Sequence, residues 1–568
     1  MQNRRSKGRH IKFQSVLLLL LLANLVGGCG APQPAELYTA KPAATALGKL
    51  DTSNQRPTPT PEPAATATAE PTAIPSPEPT VPPTPVSTVT LPPEPTAAEP
   101  LQQVYVPIFE PGDCLVSVPP DYGMECGFLI VPEDRSQADG PMVRLPVAVI
   151  PSKSQDPASD PVIHLVGGPG GNLLDAAAYY LRAGGGRILE ARDYILFNQR
   201  GTQLAEPSLE CPGQNEFSWA LAAEDLTHQE REARELEYLL KCREYLVEQG
   251  VDLDVYDSAA IAADVNDLRL ALGYDQVNLY GISYGTRLAL TAMRDYPQAI
   301  RSVILDSVYP PQVDLPSELA LNADRAFRTL FEGCAADSSC NEQYPNLDEV
   351  FYQVAAGLNA EPATVRLKNG TATVHLDGDL FVDAIFGTLY RTDAIPWIPL
   401  MIYEASRGNF DPLQTPLEAT VDESNISLGM HYNVQCREEV AFESHERALA
   451  LSANLPPSLI QHFASPGYFA VCESWRPGQV DPVEDEPVFS DIPTLILSGQ
   501  YDPITPPAWG QLAGETLSNS FFYEFPGVGH GVMRSNQCGL DIGMQFLAEP
   551  MIEPDASCLD GLSSPKFN

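Results

Sequence analysis

From about residue 105 to its end, the chain alternates short runs of β-branched and apolar residues with segments of helical periodicity. This alternation is typical of a mostly parallel sheet covered by helices, because parallel strands are joined by long crossover connections. The predicted fold class is therefore α/β. Ligands of such sheets bind beyond the carboxyl ends of the strands, so the residues that follow each strand are the first candidates for a site. The clearest predicted strands are 143–150, 162–166, 194–197, 277–280, 303–305, 494–497 and 521–525.

The stretch from about 311 to 486 has a different pattern, mainly helical and with proline-rich joints. We interpret it as a cap inserted into the α/β core, which would then consist of residues 105–310 and 487–568. An insertion of this size between two sheet strands would cover the strand ends and shape substrate access. An independent domain is the alternative interpretation. The predicted cap helices are 318–335, 347–358, 380–389, 398–406 and 444–451.

The first 29 residues have the layout of a secretory signal, with a basic start, an apolar run at 16–26, and then Gly27, Gly28 and Cys29. The apolar run is shorter than the roughly 17 to 25 residues that span a bilayer. Val-Gly-Gly-Cys at 26–29 resembles the lipobox of bacterial lipoproteins, in which the cysteine is lipidated and becomes the new N-terminus. Ordinary cleavage, with Cys29 incidental, is the alternative. We expect 1–29 to be a lipoprotein signal peptide and the mature protein to be anchored to the cell membrane, outside the cytoplasm.

Residues 30–104 form a segment that cannot bury a core. The stretch 51–100 is rich in proline and threonine, and no aromatic residue lies between Tyr38 and Tyr105. Such a composition predicts a disordered, extended linker with a reach of up to roughly 200 Å, at about 3.1 Å per residue. A tether between lipid and globular part is the functional interpretation, and a recognition tract for a proline-binding partner is the alternative.

The balance of 34 basic and 74 acidic side chains gives a formal net charge of −40 at pH 7. This charge repels phosphate backbones and anionic lipid headgroups. No nucleic-acid partner is expected, and membrane contact is expected only through the N-terminal lipid. The charge weakly favours cationic ligands such as peptide amino termini.

Eleven cysteines fit an exported, oxidised protein, because lipidation of Cys29 leaves an even number for disulfides. Connectivity does not follow from a sequence, so many pairings stay open. No spacing is of the CxxC type, so a zinc site is not expected, nor any other metal or cofactor. Proximity along the chain favours Cys114 with Cys126, Cys211 with Cys242, Cys334 with Cys340, Cys436 with Cys472, and Cys538 with Cys558.

The pentapeptide Gly-Ile-Ser-Tyr-Gly at 281–285 matches the pattern GxSxG. It follows the predicted strand 277–280 and precedes a helical run at 286–295. A nucleophile on a tight strand-to-helix turn needs small neighbours, because side chains there would collide with adjacent backbone. Ser283 is therefore the candidate nucleophile.

A nucleophilic serine needs a base, and the base needs an orienting carboxylate. Asp502 follows the predicted strand 494–497, and His530 lies in a glycine-flanked loop after the last predicted strand. The chain order Ser283, Asp502, His530 is that of the α/β-hydrolase fold. Asp306, which ends the predicted strand 303–305, is the alternative acid.

The oxyanion formed by attack on a carbonyl needs backbone donors that already face it. One candidate is the N–H of Tyr284, which opens the helix after the nucleophile. The second candidate is Gly168, in the glycine-rich turn 167–171 that follows the predicted strand 162–166. A tight turn without this role is the alternative for Gly168.

Several of these segments together resemble the prolyl and tripeptidyl aminopeptidases, over most of residues 110–550. Relatives in this family usually have a histidine where this chain has Val166 and an aspartate where it has Asn198; neither is a triad position. Cys436 and Cys472, each shortly before acidic residues, look like the tripeptidyl aminopeptidase branch. The segments that carry the resemblance are Gly-Gly-Pro-Gly at 167–170, Asn-Gln-Arg-Gly-Thr at 198–202, the pentapeptide at 281–285, Asp502-Pro503, and Gly-His-Gly at 529–531.

The resemblance implies a serine peptidase that removes one or a few N-terminal residues through an acyl-enzyme. Such an enzyme needs a carboxylate near the pocket to pair with the substrate ammonium. Glu438 and Glu439 are the candidates from the cap, and solvated surface acids are the alternative for them. The alternative substrates are small esters, amides or lactones, and a non-catalytic surface binding protein is the remaining hypothesis. We expect a monomer that binds a peptide or small acyl substrate.

Overall fold

A nine-stranded sheet organises the computed structural model, which describes residues 105–116, 122–137, 139–367, 370–478 and 480–568. The predicted signal peptide 1–29 with Cys29, and the predicted linker 30–104, lie outside the described residues. Among the described residues, no helix is both long and apolar enough to cross a membrane.

The strands of the sheet follow the order β1-β2-β3-β5-β4-β6-β7-β10-β11, and β8 and β9 form a separate hairpin. Their bounds are β1 Ile108–Pro111, β2 Glu125–Pro132, β3 Met142–Ile150, β4 Val162–Leu165, β5 Tyr194–Phe197, β6 Val277–Ser283, β7 Ile300–Val308, β8 Ala363–Leu367, β9 Ala372–Leu376, β10 Thr494–Gly499 and β11 Ser520–Phe525.

The sheet is parallel from β5 to β11 and antiparallel at its β1 to β3 end, where β3 pairs antiparallel with β5. Strands β4, β5 and β10 are buried along their whole length, as expected for parallel strands covered on both faces. All seven predicted strands are present, and the predicted α/β class with the α/β-hydrolase fold is confirmed.

Six α-helices precede the cap in the part of the chain that the structure describes. The longest, α4, begins with a capping box in which Thr227 accepts from the Glu230 amide and the Glu230 side chain accepts from the Thr227 amide. Helix α6 starts directly after Ser283, and most of its length is buried against the sheet. The six are α1 Ala177–Tyr180, α2 Gly186–Ile188, α3 Gln214–Ala222, α4 His228–Glu248, α5 Ser258–Ala271 and α6 Tyr284–Asp295.

Ten helices and the β8–β9 hairpin lie between β7 and β10, where the sequence predicts a mainly helical cap. They enclose a hydrophobic core of their own, centred on Phe327, Phe351 and Phe381. The hairpin was not among the predicted elements. The cap helices are α7 Leu315–Ala336, α8 Ser338–Gln343, α9 Leu347–Ala360, α10 Gly378–Leu389, α11 Ile398–Ser406, α12 Gln414–Val421, α13 Leu428–Glu438, α14 His445–Ser452, α15 Pro457–Phe463 and α16 Gly467–Trp475.

The chain then returns to the sheet and closes it with three helices, α17 Pro507–Gly514, α18 Val532–Ser535 and α19 Gln537–Ala548. Five disulfides join pairs of cysteines whose Cα atoms lie 4.8–5.7 Å apart. They are the five pairs favoured by proximity along the chain, from Cys114–Cys126 to Cys538–Cys558.

Candidate active site

Ser283 stands on the sharp turn between β6 and α6, with a φ of 59° and a ψ of −129°. This backbone conformation is strained for a residue with a side chain and is typical of a nucleophile turn. The flanking glycines are sterically required. A Cβ on Gly281 would lie 2.4 Å from the Gly285 carbonyl, and a Cβ on Gly285 would lie 1.9 Å from the Leu165 carbonyl.

His530 and Asp502 are paired, with 2.8 Å between His530 Nδ1 and Asp502 Oδ2. Both are buried. Because Nδ1 faces the carboxylate, the other ring nitrogen, Nε2, is the one available to exchange a proton at the cavity. The two residues lie at the carboxyl ends of β10 and β11, where the sequence predicts ligand binding.

The Asp502 carboxylate is held by the turn that follows it. It accepts from the Ile504 amide at 3.1 Å, the Thr505 amide at 3.0 Å and the Thr505 hydroxyl at 2.8 Å. Burial alone would raise the pKa of Asp502, but His530 and the Thr505 donors outweigh it and hold the pKa below its ordinary value. Asp502 is thus kept ionised as the partner of His530.

Asp306, the alternative acid, has a different role from Asp502. Its carboxylate accepts from the Val532 amide at 2.7 Å and the Met533 amide at 3.0 Å, so it holds the start of α18 just after the His530 loop. The neighbouring Ser307 hydroxyl accepts from the Gly531 amide at 2.8 Å. In this structure the acid beside His530 is Asp502.

The cap braces the acid and base loops through their backbones. Arg325 of α7 donates to the Gln500 carbonyl at 2.8 Å and to the Asp502 carbonyl. The Tyr390 carbonyl, just after α10, accepts from the His530 amide at 3.1 Å. The inserted segment therefore positions the site as well as covering it.

Ser283 and His530 open onto one cavity of about 1030 Å³ between the sheet ends and the cap. This volume is at the upper end of the usual range for ligand sites, about 300 to 1,000 Å³. Helices α3, α4, α10, α13, α15 and α16 all contribute lining residues. The cavity is therefore large enough for several residues of a peptide.

The glycine turn 167–171 borders Ser283 on one side. Gly167 is the closest member, because a Cβ there would lie 2.7 Å from Ser283 Cβ and 3.1 Å from Oγ. Gly168, the predicted donor, lines the cavity with a φ of +125°. Tyr284 is the first residue of α6, so its N–H has no partner within the helix and is available to an oxyanion. Sequence reasoning singled out Gly168 and missed the contact of Gly167.

The prediction that Glu438 and Glu439 lie at the pocket is wrong. Both are buried at the end of α13 and pair with Arg287 of α6, Glu438 at 3.2 Å, and neither lines the cavity. Glu438 also accepts from the Ser258 hydroxyl at 2.6 Å. Burial raises the pKa of Glu438 to about 7 and that of Glu439 to about 8. The reason for the error is how far the cavity extends along α13. His431 and Gln435 line it, whereas the two acids lie one turn further on, where Arg287 pairs with both carboxylates.

Other carboxylates do line the cavity, and the sequence did not single them out. They come in pairs one helical turn apart, on α4 and on α10, a spacing that puts both members on one helix face. Spacing alone could not indicate whether that face meets solvent or a cavity. The acids of α4 and α10 in the lining are Glu232, Glu235, Asp379 and Asp383, joined by Glu423 after α12.

Glu235 is distinctive among these acids. The carboxylates of Asp379, Asp383 and Glu423 each bind a neighbouring side chain, whereas no hydrogen bond or ion pair reaches Glu235 from the described residues. Burial raises the pKa of Glu235 to about 7, with nearby acids adding to the shift and Arg231 opposing it. Such a carboxylate favours a cationic ligand, which would replace its lost hydration.

The segment 198–202 is structural. The Asn198 side-chain oxygen accepts from the Leu173 and Leu174 amides at 3.2 and 3.0 Å, which holds the chain just after the glycine turn. Arg200 forms a buried two-pronged pair with Asp264, 2.8 Å at each nitrogen, and does not line the cavity. Asn198 here therefore makes uncharged contacts at the position where relatives have an aspartate.

Two families of known proteins match the chain. The family described as alpha/beta hydrolase fold matches residues 161–349, which include the glycine turn and Ser283. The family described as TAP-like protein matches residues 458–558, which include Asp502 and His530. The fold is that of the α/β hydrolases, and the site has the Ser-His-Asp arrangement that serine hydrolases of this fold use.

Among individual relatives, the serine protease Hip1 of Mycobacterium tuberculosis is 28% identical over 285 residues, 47% of this chain and 52% of the relative. The tripeptidyl aminopeptidase of Streptomyces lividans is 29% identical over 198 residues, 34% of this chain and 36% of the relative. The matches thus span about half or less of these relatives. These matches support an α/β-hydrolase peptidase family for the chain.

Among solved structures, the proline iminopeptidase of Mycobacterium smegmatis is similar at 15% identity with a TM-score of 0.40, covering 75% of this chain and 98% of that chain.

Proposed function

We propose that this protein is a serine aminopeptidase that releases short N-terminal peptides from its substrates. The observation that carries the proposal is the placement of strained Ser283 and the His530–Asp502 pair on one large cavity. An unpartnered carboxylate, Glu235, lines the same cavity. The relatives named serine protease and tripeptidyl aminopeptidase support a peptide substrate.

The reaction runs through an acyl-enzyme. Ser283 Oγ attacks the scissile carbonyl while His530 Nε2 takes its proton, and Asp502 keeps the ring oriented and stabilises its charged form. The Tyr284 amide and the amides of the turn 167–171 bind the oxyanion. His530 then gives the proton to the leaving amine, and water, activated by the same ring, releases the acyl group from Ser283.

We assign the substrate ammonium to Glu235. An ammonium placed beside this carboxylate would favour its ionised form and lower its raised pKa. The free energy of that pairing would be lost for a substrate whose amino group is blocked. An ester or lactone without an amine would gain nothing from Glu235, which separates the peptidase from the alternative small-acyl hydrolase.

The test is hydrolysis of two chromogenic tripeptide anilides that differ only in a free or acetylated amino terminus. We expect cleavage of the free form only, and no cleavage by Ser283→Ala. Glu235→Gln should raise KM for the free form at least tenfold. Glu237→Gln, on the solvent side of the same helix and paired with Lys241, is the matched control and should leave KM unchanged.

Two results would contradict the proposal. Cleavage of a simple acyl ester but neither anilide would assign the triad to small-acyl hydrolysis. Equal cleavage of the free and acetylated anilides would rule out an ammonium anchor and indicate an endopeptidase or a general amidase.

We also propose that the protein acts outside the cytoplasmic membrane, tethered by a lipid on Cys29. The signal-like segment 1–29 and the five disulfides support this location, because disulfides persist in oxidising compartments. Cys29→Ser should move the protein from the membrane fraction to the soluble fraction without lowering its specific activity. Retention of the variant in the membrane would contradict a lipid anchor.

A further inference from the structure

Two histidines and an aspartate meet in the cavity wall on three different helices. His228 begins α4 of the core, Asp379 lies near the start of α10, and His462 lies in α15 of the cap. One ligand atom from each of the three lies within 4.8 Å of the other two. All three line the cavity that also contains Ser283.

Each histidine has one ring nitrogen hydrogen-bonded to a carboxylate and the other without a hydrogen bond. His462 Nε2 lies 2.6 Å from Asp383 Oδ1, and His228 Nδ1 lies 2.9 Å from Asp379 Oδ2. His462 Nδ1 and His228 Nε2 are buried without a hydrogen-bond partner among the described residues. A buried ring nitrogen without a partner is unfavourable, unless a ligand takes its lone pair.

His462 has the pattern that metal-binding histidines adopt. A ligating imidazole usually donates its other N–H to a carboxylate, which fixes the tautomer and points the free lone pair at the ion. Asp383 would serve His462 in this way. Glu232 Oε1, 3.4 Å from His228 Nε2, would serve His228, whose Nδ1 lies 2.9 Å from Asp379 Oδ2 and would face the ion with it.

We propose that His228, Asp379 and His462 bind one divalent transition-metal ion of the Zn²⁺ class. Two imidazoles and a carboxylate suit Zn²⁺, whereas Ca²⁺ and Mg²⁺ prefer all-oxygen sites. Ligand atoms on a Zn²⁺ ion at about 2.0–2.1 Å lie about 3.3 Å apart. This site departs from the expectation of no metal, which was based on cysteine spacing and did not consider these histidines.

The site would join α4 of the core to helices α10 and α15 of the cap. An ion held by all three helices would fix the distance between the two parts along one wall of the cavity. Because it binds only the folded arrangement, the ion would raise the stability of the protein with its free concentration. The inference goes beyond the proposed peptidase function and does not depend on it.

The direct test is metal stoichiometry. The full-length protein, with the substitution Ser283→Ala to exclude turnover, is stripped with a chelator and dialysed against micromolar Zn²⁺. We expect one equivalent bound, a raised Tm, and, with Co²⁺, the visible absorption of a tetrahedral site. His228→Gln and His462→Gln should each lower affinity at least tenfold. His375→Gln, which has a carboxylate neighbour but no second histidine, is the control and should bind like the parent.

A footprint on the parent protein keeps the test decisive if a histidine variant fails to fold. Deuterium exchange at the C2–H of each histidine ring, followed by peptide mass spectrometry, also reports rings whose nitrogens are buried. Bound Zn²⁺ should slow this exchange at His228 and His462 and leave it unchanged at His375. The metal site would be ruled out if no Zn²⁺ binds, or if His228→Gln and His462→Gln leave Zn²⁺ binding intact. The cluster would then be only a set of hydrogen-bonded pairs.

Discussion

Asp502 and Asp306 are two buried carboxylates on neighbouring strands, and their partners give them different roles. Asp502 orients the His530 ring, whereas Asp306 holds the backbone that follows His530. Sequence order favoured Asp502, because the acid of this fold usually follows the later strand. The sequence does not show which of the two acids orients His530 and which holds the following loop; their hydrogen bonds in the structure do.

Substitution of these two acids tests that distinction. Asp502→Asn should lower kcat by roughly 10⁴, as expected when the ring loses its orienting charge. Asp306→Asn should lower stability and leave kcat within about tenfold. Steady-state kinetics and thermal unfolding of both variants provide the measurement. A larger kcat loss for Asp306→Asn would assign it as the orienting acid.

At the residue scale, the sequence predicts what local turns encode. Ser283, Asp502 and His530 each follow a predicted strand and have glycine or proline within two residues, so short motifs identify them. Glu235 has no such local signal. Its role depends on which face of α4 meets the cap, and that is decided by packing between segments far apart in the chain.

At the element scale, the strand-to-helix turn at Ser283 depends on close contact between backbones. Gly285→Ala would place a methyl group 1.9 Å from the Leu165 carbonyl, so we expect it to abolish folding or activity. Gly357→Ala is the control, because its position within α9 has nothing within 4 Å. It should stabilise the protein by about 0.5–1 kcal/mol. Expression yield, denaturant unfolding and activity of the two variants provide the check, and a folded, active Gly285→Ala protein would contradict the expected clash.

The disulfide Cys436–Cys472 joins α13 to α16, two helices that line the cavity. Replacing both cysteines by serine should cost about 2–4 kcal/mol and also lower activity, because both walls loosen. The matched variant lacks Cys334–Cys340, which closes a much shorter loop away from the cavity, and should lose less stability and little activity. Denaturant unfolding and kcat/KM of the two double variants make the comparison. Equal losses of stability and activity in the two double variants would contradict the assignment of α13 and α16 as walls of the cavity.

The elements were predicted unevenly for a physical reason. Buried central strands are continuous apolar runs and were all identified, whereas β1 is exposed and β2 alternates between buried and partly exposed residues. The β8–β9 hairpin packs on cap helices and has only five residues per strand, so its pattern is short. Of the ten cap helices, α7, α9, α10, α11 and α14 were predicted, and α8, α12, α13, α15 and α16 were not.

At the scale of the whole molecule, a buried charge cluster joins core and cap. Arg287 of α6 pairs with Glu438 and Glu439 of α13 and donates to the Glu484 carbonyl at 2.8 Å. One guanidinium shared by two buried carboxylates favours a bound proton, and burial raises the pKa of both acids above the ordinary value. The junction of the two parts is therefore sensitive to pH.

The direction of the pH dependence of stability follows from proton uptake by the folded protein. Between about pH 5 and 8 the folded protein holds protons on Glu438 and Glu439 that the unfolded chain releases, so stability should fall as pH rises through this window. Glu439→Gln keeps that position neutral and should give a flatter profile. Tm measured across the window for both proteins provides the check, and parallel profiles would contradict the raised pKa values.

The central claim is that Ser283 is a nucleophile activated by His530 and Asp502. The most direct measurement is labelling of the folded protein with a serine-reactive phosphonate, with the modified residue located by peptide mass spectrometry. We expect one label per chain, on Ser283, with none in Ser283→Ala and much slower labelling in His530→Gln. Failure of the folded wild-type protein to label, or a label on another serine, would contradict the account.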